Sequence, residues 1–259
     1  MNFNVYSLAI VMAALSTSVS ASLWSINELH IQQGNLIQPF TQDAGTKEET
    51  LIFTFQHASG WEYGQHFLFV DYASAGNEDT LYAEWYPTLS ASTFLATPLS
   101  NDWIKDISLV MGFNMAPESD VLKYLPGIQL QFDVEGFHFL NLTLTAYIDD
   151  SEGLAEGGAP KHGDSWMVDV AWRYALPLQS QQFYIEGHME YIDERASEIA
   201  GVRVESWLLA QVQVRWDVGK ALFDVNDRVY VGVEYQYWNN KLGTQQDENT
   251  LQALGVWRF

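Results

Sequence analysis

Leu251-Gln252-Ala253-Leu254-Gly255-Val256-Trp257-Arg258-Phe259 closes the chain on an aromatic residue. Counting back in twos from Phe259 gives Trp257, Gly255, Ala253 and Leu251, none of them charged. Arg258 and Gln252 take the other parity, together with the apolar Val256 and Leu254. Period-two alternation marks a strand whose two faces meet unlike surroundings. Terminal residues of a soluble domain commonly fray into solvent. The closing strand of a membrane-spanning barrel instead turns an apolar, aromatic-tipped face to lipid. The stretch predicts such a strand.

The same alternation recurs upstream. Ile128, Leu130 and Phe132 oppose Gln129, Gln131 and Asp133; Leu140, Leu142, Leu144, Ala146 and Ile148 oppose Asn141, Thr143, Thr145 and Tyr147. Trp166, Val168, Val170, Trp172 and Tyr174 oppose Met167, Asp169, Ala171 and Arg173. Phe183, Ile185, Gly187, Met189 and Tyr191 oppose Tyr184, Glu186, His188 and Glu190. Leu208 to Trp216 and Val229 to Trp238 repeat the pattern, with Gln211, Gln213, Arg215, Tyr230, Glu234 and Gln236 on the polar parity. Less regular candidates are Trp24–Gln33, Glu49–Ala58, Gly64–Ala73, Thr80–Ser90 and Asp102–Asn114. With Asn249–Phe259 the count is about twelve strands, and an even count puts both termini on the periplasmic side of a single-chain barrel. The expected fold is all-β, a closed antiparallel transmembrane β-barrel. Prolines 39, 87, 98, 117, 126, 160 and 177 are expected at strand ends or in loops.

Composition agrees. The 259 residues hold no Cys, ten Trp, thirteen Tyr and fourteen Phe, and carry a formal charge of −21. Without Cys there are no disulfides and no thiolate metal sites. Abundant aromatics suit two interfacial belts. The mean hydropathy is slightly negative, against a helical membrane protein but not against a barrel whose strands are half apolar. Twelve Lys and Arg cannot supply the basic footprint that nucleic acid requires. At the other end, Val5 to Leu15 is an apolar run and Val19-Ser20-Ala21 fits a small-residue cleavage pattern. The reading is a signal peptide over 1–21 and one barrel domain over 22–259, in the outer membrane of a Gram-negative bacterium, among lipid and lipopolysaccharide.

Loop lengths set an orientation. Ser59–Tyr63, Val134–Phe137 and Pro177–Gln181 are short, as periplasmic turns are. Gly34–Lys47, Asp150–Gly163 and Asp193–Val204 are longer, as expected outside, and acidic residues such as Glu78, Asp79, Asp150, Glu152, Asp193 and Glu194 concentrate on that side. Ala91–Asn101 and Val218–Asp227 exceed what a periplasmic turn needs.

The inward parity carries polar groups and rings. Tyr82, Tyr86, Tyr147, Tyr184, Tyr230 and Trp238 could offer faces to a planar solute, at roughly 1–3 kcal/mol per stacked base. Glu186, Glu234, Gln211, Gln236 and Asn141 could hydrogen-bond sugar hydroxyls. Candidate pore-lining and substrate-binding residues are therefore Tyr230, Glu234, Gln236 and Trp238 on one strand, and Tyr184, Glu186 and His188 on another. Arg215 and Tyr147 support them. Weak binding suits a conducting site, which must release what it holds. Arg173 and Arg215 are expected to pair with carboxylates such as Asp169 or Glu186, and a lattice of such pairs is also how a plugged structural barrel would be braced. His188 between Glu186 and Glu190 resembles a cation site, but side chains of one strand rarely converge on a metal. No metal or cofactor is expected. His57 and His66 read as interfacial residues or lumen fillers. His138 lies near Asn141 without a Gly-x-Ser-x-Gly signal, so catalysis is not expected. A soluble lipid-binding barrel would need apolar residues inside.

Several stretches carry a family resemblance. Gly232-Val233-Glu234-Tyr235-Gln236-Tyr237-Trp238-Asn239-Asn240-Lys241-Leu242-Gly243 resembles the penultimate-strand motif of the nucleoside-specific, channel-forming Tsx-like porins. Phe53-Thr54-Phe55-Gln56-His57-Ala58-Ser59-Gly60-Trp61-Glu62-Tyr63-Gly64, running on to Val70-Asp71, resembles that family's second and third strands. Pro87-Thr88-Leu89-Ser90 and the Gly34 to Phe40 stretch fit as well. Gln33 stands before Gly34 where the nucleoside-transporting type is expected to carry an aromatic. The resemblance implies a twelve-stranded barrel passing nucleosides and deoxynucleosides by facilitated diffusion. It also implies outer loops open to phage or colicin, the main role should the barrel be plugged.

Overall fold

The computed structural model describes residues 22–40, 45–76 and 78–259; the expected signal segment, 1–21, lies outside them. Its main feature is a single closed antiparallel barrel of 12 strands. In chain order these are β1 (Trp24–Ile37), β2 (Lys47–Trp61), β3 (Gly64–Ala75), β4 (Glu78–Ser90), β5 (Ile104–Ala116) and β6 (Val121–Phe132). They continue with β7 (Phe137–Asp149), β8 (Ser165–Leu178), β9 (Gln181–Ile192), β12 (Trp207–Asp217), β13 (Val229–Asn239) and β14 (Glu248–Arg258). A two-stranded ribbon, β10 (Arg195–Ala196) with β11 (Arg203–Val204), lies between β9 and β12. Each expected segment falls on one barrel strand. Closure is made by β1 against β14, with Glu28 opposite Arg258 and Gln33 opposite Ala253. A closed sheet leaves no unpaired edge, the condition for placing strands in hydrocarbon.

The two parities separate as a membrane barrel demands. Leu29, Ile31, Phe53, Leu109, Leu144, Val231, Val233 and Leu251 face outward and are exposed. Thr54, Ser108, Asn114, Thr143, Gln213, Gln236 and Gln252 face inward and are buried. A soluble barrel has the opposite sense, because water rewards polar exposure. Aromatics form the two outer belts. Near the chain end Phe137 meets Tyr174 at 5.0 Å, Phe183 meets Trp216 at 6.4 Å and Trp257 meets Phe259 at 5.0 Å. Toward the other end Trp85 stacks on Phe113 at 5.4 Å and Trp166 lies 5.3 Å from Tyr191. Among the described residues no helix is long and apolar enough to cross a membrane.

Two prolines depart from expectation. Pro87 and Pro126 lie within β4 and β6 rather than at their ends or in loops, whereas Pro177 is the second-last residue of β8. The two are accommodated by ladder gaps: β4–β5 pairing skips from Trp85 to Thr88, and β6–β7 pairing skips from Tyr124 to Gly127. Proline donates no ladder hydrogen bond, so the break falls beside it. The two overlong turns at the chain-end side contain short helical segments, Ala91–Phe94 and Val218–Phe223.

Candidate functional site: the barrel interior

Side chains of non-adjacent strands meet inside the barrel, and they do so at three levels. Nearest the chain end is a charged knot around Glu28, which is 4% exposed. Arg215 Nη1 lies 3.0 Å from Glu28 Oε2, and Arg258 Nη2 2.5 Å from Glu28 Oε1. Arg173 Nη1 stands 4.0 Å from Glu28 Oε1, a span from β8 to β1 across the lumen. His30 Nε2 is 2.8 Å from Glu28 Oε2. Glu186 completes the set, 2.7 Å from Arg215 and 2.8 Å from Arg173. Burying charges is costly unless each is paired and hydrogen-bonded, and here each carboxylate is shared between guanidinium groups. Asp227, in the turn after β12, accepts hydrogen bonds from Tyr184 Oη at 2.6 Å and Tyr230 Oη at 2.9 Å. Burial opposes ionisation of Asp227, but the two phenol donors and Arg173 outweigh it and hold the carboxyl below its ordinary range.

At mid-height the lining is an amide and carboxylate lattice. His188 Nδ1 lies 3.2 Å from Asp169 and its Nε2 2.8 Å from Gln211 Oε1. Gln211 donates to Gln236, and Gln236 to Glu248. Glu234 accepts from Gln213 at 2.6 Å and from Gln252 at 2.8 Å. Asp71 accepts from Thr54 at 2.5 Å.

The loop end is lined by rings and cations. Leu125, Tyr147, Met167, Ile192, Val204 and Trp207 form a buried apolar cluster, with Tyr86 and Trp238 packed against it. Lys241 pairs with Glu248 at 3.0 Å and sits 5.2 Å from the Trp238 ring centre. Lys123 pairs with Asp149. Arg195 lies 4.3 Å from the Trp207 ring centre and 5.0 Å from that of Tyr147.

All nine sequence-derived candidates face this interior. The structure brings Tyr184, Tyr230, Glu186 and Arg215 into the charged knot, and Glu234, Gln236 and His188 into the mid-height lattice. Tyr147 and Trp238 stand apart at the loop end. The ring faces differ from expectation. Arg173 lies 4.0 Å from the Tyr184 centre and 5.6 Å from that of Tyr230, which Arg258 also approaches at 5.4 Å. Rings that were read as platforms for a solute thus serve as partners for buried cations, a role their quadrupoles suit. Arg173 and Arg215 reach Glu186; Asp169 takes His188 instead. His57 and His66 do not fill the lumen. They face outward at the chain-end belt, where His57 meets Asn27 at 2.8 Å and His66 meets Ser59 at 2.8 Å. Gln33 is likewise on the outer face, donating to Glu49 at 2.5 Å. His138, exposed at the start of β7, meets the edge of Tyr184 at 5.6 Å.

Opposite the charged knot stands a wall of amides and hydroxyls that the strand pattern did not single out, with the Asp106 carboxylate at its chain-end edge accepting from Ser108 at 3.1 Å. Gln65 donates to Gln129 at 3.4 Å, Gln129 to Thr143 at 3.2 Å and Gln131 to Ser108 at 3.3 Å. Beside this wall Phe67, opposite Ala58 and Tyr86, faces inward yet is 37% exposed. Phe69 lies 6.0 Å from both Phe67 and Tyr82. The signal available was Asp71, whose parity marks Phe67 and Phe69 as inward; the apolar residues on both faces of β3 hide it. The wall offers donors and acceptors to a neutral polar solute, and Phe67 offers an open ring face.

No protein-family model and no curated protein sequence matches the chain. Solved structures do. A NanC porin is similar with a TM-score of 0.54 and 11% identity, over 88% of this chain and 98% of that one. A KdgM porin gives 0.48 and 9%, over 90% and 99%. An outer membrane channel from Pseudomonas putida F1 gives 0.48 and 8%, over 93% and 99%. The fold is that of outer-membrane barrels.

Proposed function

We propose that the protein is a passive channel of a Gram-negative outer membrane, carrying small, polar, planar solutes, with nucleosides and deoxynucleosides among them. The observation that carries this reading is the amide and hydroxyl wall of Gln65, Gln129, Gln131, Ser108 and Thr143, edged by Asp106, beside the open face of Phe67, inside a barrel whose exterior is apolar. A lane of amides and hydroxyls exchanges solvent hydrogen bonds for protein ones at little net cost, so a solute is neither trapped nor excluded. The fold likeness to a NanC porin supports a porin-like channel, and the resemblance to Tsx-like porins supports the nucleoside class. In this reading both chain ends are periplasmic and the acidic loops face the medium.

One observation favours a second reading, a closed barrel acting as scaffold or as landing site for phage or colicin. The charged knot crosses the lumen at one end, and the aromatic cluster covers the other. Liposome swelling separates the two. Purified protein in vesicles is expected to admit adenosine and thymidine faster than a disaccharide, and Phe67→Ala to narrow that difference. Vesicles as tight as protein-free controls support the closed barrel.

A further inference from the structure

The loop end holds a cation in an unusual setting. Arg195 is 6% exposed, and among the described residues it has no carboxylate within ion-pair distance. Its Nη1 donates to the Asp193 carbonyl at 3.2 Å, and its Nε has no partner. What it does have is two rings. Its guanidinium carbon lies 4.3 Å from the Trp207 centre and 5.0 Å from the Tyr147 centre, and those rings stand nearly perpendicular at 85°. Glu190 is joined to this seat, accepting from Trp207 Nε1 at 3.5 Å.

Tyr147 and Trp207 belong to barrel strands β7 and β12, whereas Arg195 belongs to the connection after β9. At Asp193 that connection is tied to Ser165 and Trp166 of β8; beyond it the bonds run largely to other loops. Glu198 accepts from the amides of Leu154 and Lys161, Gly163 N donates to Ala196 O, and Glu205 N donates to Gly243 O. The ribbon covers the two rings by side-chain packing, with Val204 buried in the same cluster as Tyr147 and Trp207, and not by ladder pairing. Lifting it would withdraw a planar, delocalised cation from a ready-made aromatic seat at the mouth of the lumen.

We propose that Tyr147 and Trp207 form a binding seat for small planar cations of the guanidinium or amidine class, which Arg195 fills as a built-in, displaceable plug. The channel reading above supplies the consequence for conduction; the seat itself does not depend on it. Aromatic faces bind cations through their quadrupole, most strongly where water is excluded. The planar shape of guanidinium allows it to stack where ammonium cannot. The chain's charge of −21 concentrates cations near the mouth.

The test is chemical rescue of Arg195→Ala. The variant is expected to conduct more than the wild type. Guanidinium in the millimolar range should reduce its current severalfold, as a cation–π seat of ordinary strength allows, while ammonium at the same concentration leaves it unchanged. Wild-type current should respond to neither. Equal currents in the two proteins, or equal responses to guanidinium and ammonium, would overturn the proposal. If neither protein conducts, the channel reading falls, and thermal unfolding decides about the seat. A rise in Tm of Arg195→Ala with about 10 mM guanidinium, absent from the wild type and absent with ammonium, supports the seat on the affinity expected of such contacts. No such difference removes it.

Discussion

Glu28 is the residue on which most of the interior charge converges. It faces Arg215, Arg258, Arg173 and His30, and almost none of it is open to solvent. Removing one member of a buried ion cluster costs more than the cluster contributes, because the partners remain buried with their charge uncompensated. Glu28→Gln keeps the shape and deletes the charge. It is expected to destabilise the barrel by about 3–5 kcal/mol, read as a lower urea midpoint by tryptophan fluorescence in detergent micelles. An unchanged midpoint would mean that water already screens the arginines. The same substitution loosens the charged knot, since Arg173 and Arg215 would then share only Glu186.

At the scale of elements, the strands were legible and the contacts between them were not. β7, β9 and β13 alternate because one face meets hydrocarbon and the other a wet interior, so the parity of Tyr184, Glu234 and Gln236 could be read directly. β3 could not be read so, since Phe67 and Leu68, or Phe69 and Val70, are apolar on both faces. Nor could any rule of period show that Arg173 would cover Tyr184 or that Arg195 would reach Tyr147, as these pairs join distant segments through the lumen. Pro87 and Pro126 were misplaced because a barrel strand tolerates a ladder gap on one side while its other neighbour stays paired. Between those prolines Gly112 of β5 lets the Tyr86 ring lie flat across the wall; a Cβ there would fall 2.5 Å from Tyr86 and 2.9 Å from Leu125. Gly112→Ala should push Tyr86 off its hydrogen bond with Asn114 and cost about 1–3 kcal/mol as overpacking does. The check is urea unfolding, with Tyr86→Phe as the comparison that removes the hydroxyl alone. Equal stability of Gly112→Ala and wild type would show that the ring shifts freely.

For the whole molecule, the decisive property is an interior that is polar but uneven in charge. Asp71, Glu84, Asp169 and Glu234 stand at mid-height, between the arginine knot at one end and Lys123, Lys241 and Arg195, joined there by Glu190, at the other. With acidic loops added, the field favours cations, so a KCl gradient should produce a cation-selective reversal potential that shrinks as salt rises and the Debye length contracts. Nucleoside monophosphates should enter more slowly than nucleosides at low salt, and the gap should close at high salt; an anion-preferring pore insensitive to salt contradicts this distribution. Whether this closed barrel with a polar, ring-bearing lumen passes small planar solutes is decided by planar-bilayer recording of the purified protein, titrated with adenosine, thymidine and a sugar control. Discrete conductance steps are expected, which both nucleosides block at millimolar concentration and the sugar does not. Membranes that stay silent, or steps that nucleoside and sugar reduce alike, would rule such a channel out.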